Sequence, residues 1–189
     1  MKIAVYCGAA GGSDPAYLEA AERLGKWIAE NGHELVYGAG RVGMMGRIAD
    51  TVLEAGGRVT GVIPRFMVDL GWCHKHLTTL LIEENMSARK KRMCDLSDAL
   101  IALPGGAGTL EEITEVISWQ RLGVNKSPCI LFNENGFYEP LRAVYEGMIR
   151  AQFMEREALE GVLFSSDLQE IETFITNYRD KGRTASGGY

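Results

Sequence analysis

Short apolar runs alternate with longer segments of helical periodicity along nearly the whole chain. The runs are rich in β-branched residues and lie at 3–6, 35–37, 59–63, 79–82, 99–103 and 129–132. The spacing of apolar residues predicts helices at 15–31, 43–55, 87–96, 109–122, 137–151 and 167–178. Because the runs are apolar on both faces, they are typical of parallel strands covered on both sides. We therefore predict an α/β fold, a single-domain Rossmann-like doubly wound parallel sheet with helices on both faces.

A single domain is also what the length favours. A chain of 189 residues with 46% hydrophobic content can bury a sizeable core, and no linker divides it. Two helix starts are marked by capping residues, at Ser13-Asp14-Pro15 and at Ser166-Asp167. We assign the domain to residues 1–180 and predict a disordered tail at 181–189, which is small, polar and glycine-rich.

Net charge and cysteine content limit the binding partners and the cellular compartment that we expect. The net charge of -5 disfavours an extended nucleic-acid or anionic-membrane surface, and no apolar run reaches membrane-spanning length. The first residues contain no signal-peptide pattern, so we expect a cytoplasmic protein. The four cysteines lie far apart without a C-x-x-C pair, which favours reduced, structural thiols.

A glycine-rich turn joins the fifth predicted strand to the next helix. The sequence Pro104-Gly-Gly-Ala-Gly-Thr-Leu-Glu-Glu112 contains three glycines, Gly105, Gly106 and Gly108, before a helical segment. Glycine allows a ligand to approach the backbone closely, and the first-turn N–H groups of a helix attract anions. This turn therefore predicts a phosphate site.

A second glycine-rich turn follows the second predicted strand. Gly38, Gly40 and Gly43 match G-x-G-x-x-G between a strand and a helix. A dinucleotide site also requires an acidic residue at the end of the next strand, but that strand runs into Pro64-Arg65. The two turns together favour a mononucleotide. The alternative is that these glycines only permit tight turns.

Charged residues lie near both glycine turns. Glu112 and Glu115 share one face of the helix that begins near Thr109, so either carboxylate can face the ligand. Alternatively, Thr109 and Glu112 form a capping box and take no part in chemistry. Arg89 and Lys90 follow the fourth strand and would reach the same sheet edge, unless they lie on a solvated helix face.

The remaining candidate chemistry is weaker. Cys73-His-Lys-His76 matches no structural zinc pattern, so we predict no metal site. No feature marks His33 as catalytic or any lysine as a Schiff-base residue.

With these motifs identified, the chain resembles the Lonely Guy family of cytokinin riboside 5'-monophosphate phosphoribohydrolases over nearly its full length. The family pattern P-G-G-x-G-T-x-x-E is complete from Pro104 to Glu112. The family's G-G-G-x-x-G-x-M-G is met from Gly38 to Gly46 with Ala39 in place of one glycine, and M-H-x-R-K is met from Met86 with Ser87 in place of histidine. Some relatives carry a lysine decarboxylase label, but this sequence contains no pyridoxal-phosphate motif.

The resemblance implies hydrolysis of the N-glycosidic bond of an adenosine 5'-monophosphate, particularly an N6-prenylated one, to free base and ribose 5-phosphate. It implies Glu112 and Arg89 as catalytic residues and no metal or organic cofactor. It also implies a homodimer, for which the helix at 109–122 could supply the interface. The implied substrate-binding residues are Gly40, Gly43, Met86, Arg89, Lys90, Gly105, Gly106, Gly108, Thr109 and Glu115.

Two alternatives share these motifs. A carrier of nucleotides or phosphorylated cofactors would bind its ligand without turnover, and the joint presence of Arg89 and Glu112 argues against it. A general nucleoside monophosphate nucleosidase would use the same chemistry with another choice of base.

Overall fold

The computed structural model describes residues 1–185 and contains one seven-stranded, all-parallel sheet. The strands are β1 (Lys2–Tyr6), β2 (Glu34–Tyr37), β3 (Arg58–Pro64), β4 (Thr79–Glu83), β5 (Ala99–Ala102), β6 (Cys129–Leu131) and β7 (Val162–Phe164). The helices are α1 (Pro15–Glu30), α2 (Gly43–Glu54), α3 (Arg65–Asp69), α4 (Met86–Leu96), α5 (Ala107–Arg121), α6 (Glu139–Arg150) and α7 (Leu168–Ala185). The predicted doubly wound α/β fold is confirmed.

Strands β1, β2, β3, β5 and β6 bury both of their faces, as the apolar runs predicted, whereas the edge strand β4 leaves Leu80 and Ile82 exposed. Alternate residues of β1 enter two separate cores: Ile3 and Val5 pack with α1, α2 and α7, whereas Ala4 and Tyr6 pack with α4, α5 and α6. A strand buried on both sides has no position at which a polar side chain is tolerated cheaply. This explains why the buried parts of these strands contain almost no polar residues.

Capping residues fix the start of several helices. The Asp14 carboxylate accepts from the Ala16 N–H at 2.9 Å, with Pro15 in the first turn of α1. Asp167 accepts from Gln169 N at 2.8 Å at the start of α7. Both start signals in the sequence are therefore confirmed.

Several elements differ from the sequence prediction. Strand β7 is short and only half-buried, and helix α3 has five residues, too few to establish a helical periodicity, so neither was predicted. Helix α7 continues to Ala185, so residues 181–185 of the predicted disordered tail are helical instead. The rest of that tail, 186–189, lies outside the described residues. Among residues 1–185, no helix is both long and apolar enough to cross a membrane.

Candidate active site

The strand order β4-β3-β2-β1-β5-β6-β7 reverses direction between β1 and β5. The loops that follow these neighbouring strands diverge to opposite faces and open a crevice at the carboxyl edge of the sheet. The two loops remain in contact, since the Gly8 N–H donates to the Pro104 carbonyl at 3.3 Å. The glycine turn after β5 therefore lies at the usual ligand position of this fold.

A cleft of about 340 Å³ occupies this position. Its polar lining residues are Arg89, Glu112 and Thr109, together with the glycine turn at Gly106 and Gly108. Its apolar lining residues include Met45, Ile63, Met67, Trp72 and Met86. The volume is in the range of small-molecule sites, and a lining of both kinds suits a ligand with polar and apolar parts.

Arg89 and Glu112 form a buried ion pair in the cleft. Arg89 lies on α4 and Glu112 on α5, and both side chains are at least nine-tenths buried. The Arg89 Nη1 donates to Glu112 Oε1, and its Nε donates to the Val62 carbonyl at 3.3 Å. Because the guanidinium is also anchored by the Val62 carbonyl, it restrains the position of Glu112 Oε1.

Burial raises the pKa of Glu112 above its ordinary value, and the adjacent Arg89 only partly offsets this effect. Desolvation disfavours the charged carboxylate, whereas the guanidinium favours it. Glu112 consequently has the desolvated, directionally held carboxylate that electrostatic catalysis requires.

The Gly38 position accommodates Arg89. A Cβ at residue 38 would collide with the Arg89 Nη2 and would lie 3.1 Å from its Cζ and 2.7 Å from Met45 Cε. The first glycine of the second turn is thus required for the ion pair rather than for backbone flexibility. Ala39, which occupies a glycine position of the family pattern, is fully buried and adopts a positive φ of 59°.

Helix α5 begins two residues earlier than predicted, and its start is open. Gly106 is the N-cap residue and no side chain caps the first turn. Thr109 therefore lies inside the helix and Glu112 is bonded to Arg89, so the capping-box alternative is wrong. Apart from its chain neighbours and the backbone of its own helix, a Cβ on Gly106 or Gly108 would meet no protein atom within 4 Å, which leaves room for a ligand against the first-turn N–H groups.

Lys90 and Glu115 lie outside the residues that line the cleft. The Lys90 ammonium is bonded to Glu111 and lies 3.1 Å from Glu115 Oε2. Burial opposes the charged ammonium, but the bonds to these two carboxylates outweigh it and raise the pKa of Lys90. These three residues form a second ionic bridge between α4 and α5, beside the Arg89–Glu112 pair.

Two of the predicted glycines are also outside the main cleft. Gly105 lines a neighbouring cavity of about 310 Å³, which shares Gly8, Ala9 and Gly106 with the cleft. A Cβ on Gly105 would lie 2.7 Å from Thr109 Cβ. Gly43 has a φ of +61° and its Cβ position lies 2.8 Å from the Ala10 backbone carbon. Both glycines allow the loops around the cleft to pack closely.

Several cleft residues were not predicted from the sequence. Cys7, Gly8 and Ala9 follow β1, and their only signal is the central position of that strand in the sheet. Met67 and Trp72 belong to a segment whose residue Cys73 forms an antiparallel bridge to Gly40. This pairing brings an apolar wall to the mouth of the cleft.

The cysteine–histidine motif holds this segment in place. The His74 N–H donates to the Ala39 carbonyl at 2.8 Å, and His74 Nε2 lies 2.9 Å from Asp50 Oδ1. Ser87, which replaces the family histidine, is exposed and does not line the cleft.

Comparison with known proteins identifies relatives over most of the chain. Residues 45–174 match the family model described as possible lysine decarboxylase. A cytokinin riboside 5'-monophosphate phosphoribohydrolase of Rhodococcoides fascians is 40% identical over 168 residues, covering 88% of this chain and 85% of its own. A protein of the same name from Arabidopsis thaliana is 41% identical over 177 residues, covering 94% and 82%.

Solved structures share the fold. A molybdenum cofactor binding protein of Rippkaea orientalis aligns with a TM-score of 0.70 at 23% identity, covering 93% of this chain and 95% of its own. At this identity the likeness concerns the fold alone. The sequence relatives determine the family: the chain belongs to the Lonely Guy family of cytokinin riboside 5'-monophosphate phosphoribohydrolases.

Proposed function

We propose that this protein hydrolyses the N-glycosidic bond of N6-modified adenosine 5'-monophosphate, releasing the free base and ribose 5-phosphate. The observation that carries the proposal is the buried Glu112 carboxylate, held by Arg89 beside the open N-terminus of α5. The names of the relatives at 40–41% identity support the same reaction.

Glu112 and Arg89 act as the catalytic pair. Cleavage of the bond between C1' and the base nitrogen leaves positive charge on the sugar, as in other oxocarbenium-like glycoside hydrolyses. The Glu112 carboxylate stabilises this charge and orients a water molecule. The water oxygen bonds to C1' as the bond from C1' to the base nitrogen breaks, and the proton that the water loses is balanced by the proton that the base nitrogen takes up. Arg89 stays protonated throughout and holds Glu112 in place, so it is not a general acid.

The glycine turn binds the 5'-phosphate. The N–H groups at the start of α5 and the open space over Gly106 and Gly108 suit an anion with three oxygens. Phosphate binding away from the reacting carbon supplies energy that positions the sugar. A nucleoside that lacks the phosphate should therefore react far more slowly than its monophosphate.

The apolar lining residues of the cleft receive the base and its N6 substituent. Met45, Met67 and Trp72 are uncharged side chains with adaptable or flat apolar surfaces, which suit a prenyl chain. The proposed reaction uses only water as co-substrate and needs no cofactor.

Chromatographic detection of free base tests this proposal. Purified protein is incubated with N6-isopentenyladenosine monophosphate, with AMP and with the two corresponding nucleosides, in parallel with Glu112→Gln. We expect base from the monophosphates only, and a loss of about 100-fold or more in the variant. Stoichiometric binding without base release would support a carrier instead. Equal rates with AMP and the prenylated substrate would support a general nucleosidase.

The protein is further proposed to be a homodimer. An apolar groove of about 360 Å³ lies between α5 and α6, lined in part by Ile117, Leu141 and Met148. Phe153 at its rim is 82% exposed. An apolar surface of this kind favours association with another protein surface. Light scattering after size exclusion should give a dimer mass for the native chain and a monomer mass for Phe153→Asp.

A cytoplasmic location is proposed as well. The four cysteines are free thiols, and three of them, Cys7, Cys94 and Cys129, are buried. Thiols in this state are typical of proteins in a reducing compartment.

A further inference from the structure

Trp72 presents an exposed aromatic surface at the cleft. Among the described residues, two aromatic side chains line the cleft, those of Tyr6 and Trp72. Tyr6 is 2% exposed and belongs to the core, whereas Trp72 is 51% exposed. Trp72 also lines an adjoining cavity of about 310 Å³, and Ala9, Gly40 and Met45 line both spaces with it. The indole therefore borders both spaces and has surface available to a ligand.

Burial does not fix the segment that carries Trp72. The segment connects β3 to β4 and begins with α3, of which no residue is buried. Phe66 and Leu70 in this segment are 48% and 58% exposed. Segments with few buried apolar contacts open most easily in a folded protein. The position of the indole consequently depends on the hydrogen bonds that attach the segment to the rest of the molecule.

Backbone hydrogen bonds attach the segment to the glycine turn after β2. The Arg41 N–H donates to the Trp72 carbonyl at 3.2 Å, and the His74 N–H donates to the Ala39 carbonyl at 2.8 Å. Ala39 and Arg41 flank Gly40, which lines the cleft. The attachment therefore places Trp72 beside the space that a ligand would occupy.

The His74 side chain adds a link to α2. The His76 N–H donates to His74 Nδ1 at 3.1 Å, so this nitrogen carries no proton. The ring proton is then on Nε2, which donates to Asp50 Oδ1 at 2.9 Å. A hydrogen bond to a carboxylate is stronger than one between neutral groups, and the His74 side chain is only 8% exposed to competing water. Both ring nitrogens are thus held, and the ring ties the segment to α2.

We propose that Trp72 selects the base of the nucleotide by stacking on its purine ring, and that His74 positions Trp72 for this contact. The inference rests on the proposed function, in which the phosphate and the sugar occupy the polar lining and leave the apolar lining to the base. An indole face suits a purine, because stacking requires a flat π surface and no particular hydrogen-bond pattern. His74 does not line the cleft, so it acts through Trp72 rather than on the ligand.

Binding of AMP and of ribose 5-phosphate tests this proposal without relying on activity. Each is titrated by calorimetry into protein that carries Glu112→Gln, so that AMP is not consumed. The ratio of the two dissociation constants measures what the base contributes to binding. Trp72→Ala should weaken AMP binding about 10-fold or more and leave ribose 5-phosphate binding unchanged. His74→Ala should weaken AMP binding about 3- to 10-fold, again without an effect on ribose 5-phosphate.

A double-mutant cycle distinguishes positioning from a general structural role. If His74 acts through Trp72, His74→Ala should cost no further AMP affinity once Trp72 has been replaced by alanine. His74→Gln retains an amide N–H close to the Nε2 position and should restore most of the AMP affinity. Asp50→Ala removes the same link from the side of α2 and should reproduce the loss seen in His74→Ala. Since the Asp50 side chain is 55% exposed, this variant tests the link even if His74→Ala does not fold.

His76→Ala is the matched control. His76 is exposed and lies in the same segment, but it bonds to His74 through its backbone N–H, which the substitution retains. AMP affinity should therefore stay at the native level in this variant.

Four results would overturn the proposal: unchanged AMP affinity in Trp72→Ala, an equal loss of ribose 5-phosphate affinity, losses that multiply in the double variant, or native AMP affinity in Asp50→Ala. If the native chain releases no base from any monophosphate, the proposed function fails. The comparison of AMP with ribose 5-phosphate still decides the roles of Trp72 and His74 in that case.

Discussion

Substitution of Gly38 by alanine should damage catalysis through a residue that is remote in sequence. The added Cβ would collide with the Arg89 Nη2 and would lie 3.1 Å from Cζ, where ordinary contact needs 3.4 Å or more. The guanidinium would have to retreat by about 1 Å, which breaks its alignment with Glu112, and misplacement of that size can cost about 100-fold in rate. We therefore expect kcat to fall about 100-fold.

The fold itself should tolerate the change. Gly38 has no positive φ, and the groups that the Cβ meets are the ends of two flexible side chains, Arg89 and Met45. Overpacking of this kind costs about 1–3 kcal/mol of stability, so the melting transition should remain cooperative at a somewhat lower temperature. Base release and thermal unfolding, measured on the same preparation, separate the two effects.

A double-mutant cycle identifies the cause of the lost activity. If Gly38→Ala acts by displacing the guanidinium, it should cost little more once Arg89 has been replaced by alanine. Losses that simply multiply in the double variant would refute the reasoning, as would native kcat in a stably folded Gly38→Ala protein.

Three further predictions concern the cleft. The acid limb of the pH profile of kcat/KM should lie above the ordinary glutamate pKa of about 4.3. Burial raises the pKa of Glu112, and activity is lost as the pH falls through that pKa. An acid limb at or below about 4.3 would contradict this prediction. Gly108→Ala should raise KM for the monophosphate about 10-fold or more with less effect on kcat, because the added Cβ projects into the open space proposed for the phosphate. Initial-rate kinetics check this prediction, and an unchanged KM would remove Gly108 from the phosphate site. Lys90→Gln should lower the melting temperature and leave KM nearly unchanged, since the ammonium pairs with carboxylates outside the cleft. A large rise in KM with an unchanged melting curve would return Lys90 to substrate binding.

The sheet and the glycine turns were predictable because they depend on local sequence. Continuous apolar runs specify strands buried on both faces, and Asp14 and Asp167 mark helix starts by hydrogen bonds within a few residues. The same locality explains the errors. Strand β7 has only three half-buried residues, and the helical segment at 181–185 contains no apolar periodicity.

The members of the site were predictable only in part: Arg89, Glu112 and Thr109 line the cleft, whereas Lys90 and Glu115 lie outside it. The interpretation of Thr109 and Glu112 as a capping box follows from their spacing, yet the partner of Glu112 is Arg89, 23 positions away on another helix. Gly38 likewise matches a nucleotide fingerprint, whereas its neighbour in space is that same arginine. Such contacts depend on how two helices cross over the sheet, which no spacing along the chain encodes.

The position of Glu112 argues for a catalyst rather than a carrier. A carboxylate does not help to hold the phosphate of a ligand, because its negative charge repels the phosphate and its burial is costly. It can serve a carrier only by accepting hydrogen bonds from hydroxyl or amino groups of the ligand, as the acidic residue of a dinucleotide site does. Glu112 is instead already bonded to Arg89, beside the open N-terminus of α5. A buried carboxylate in that position suits positive charge that develops during the reaction, as on the sugar ring of a cleaving N-glycoside. The ion pair therefore favours a catalyst over a carrier.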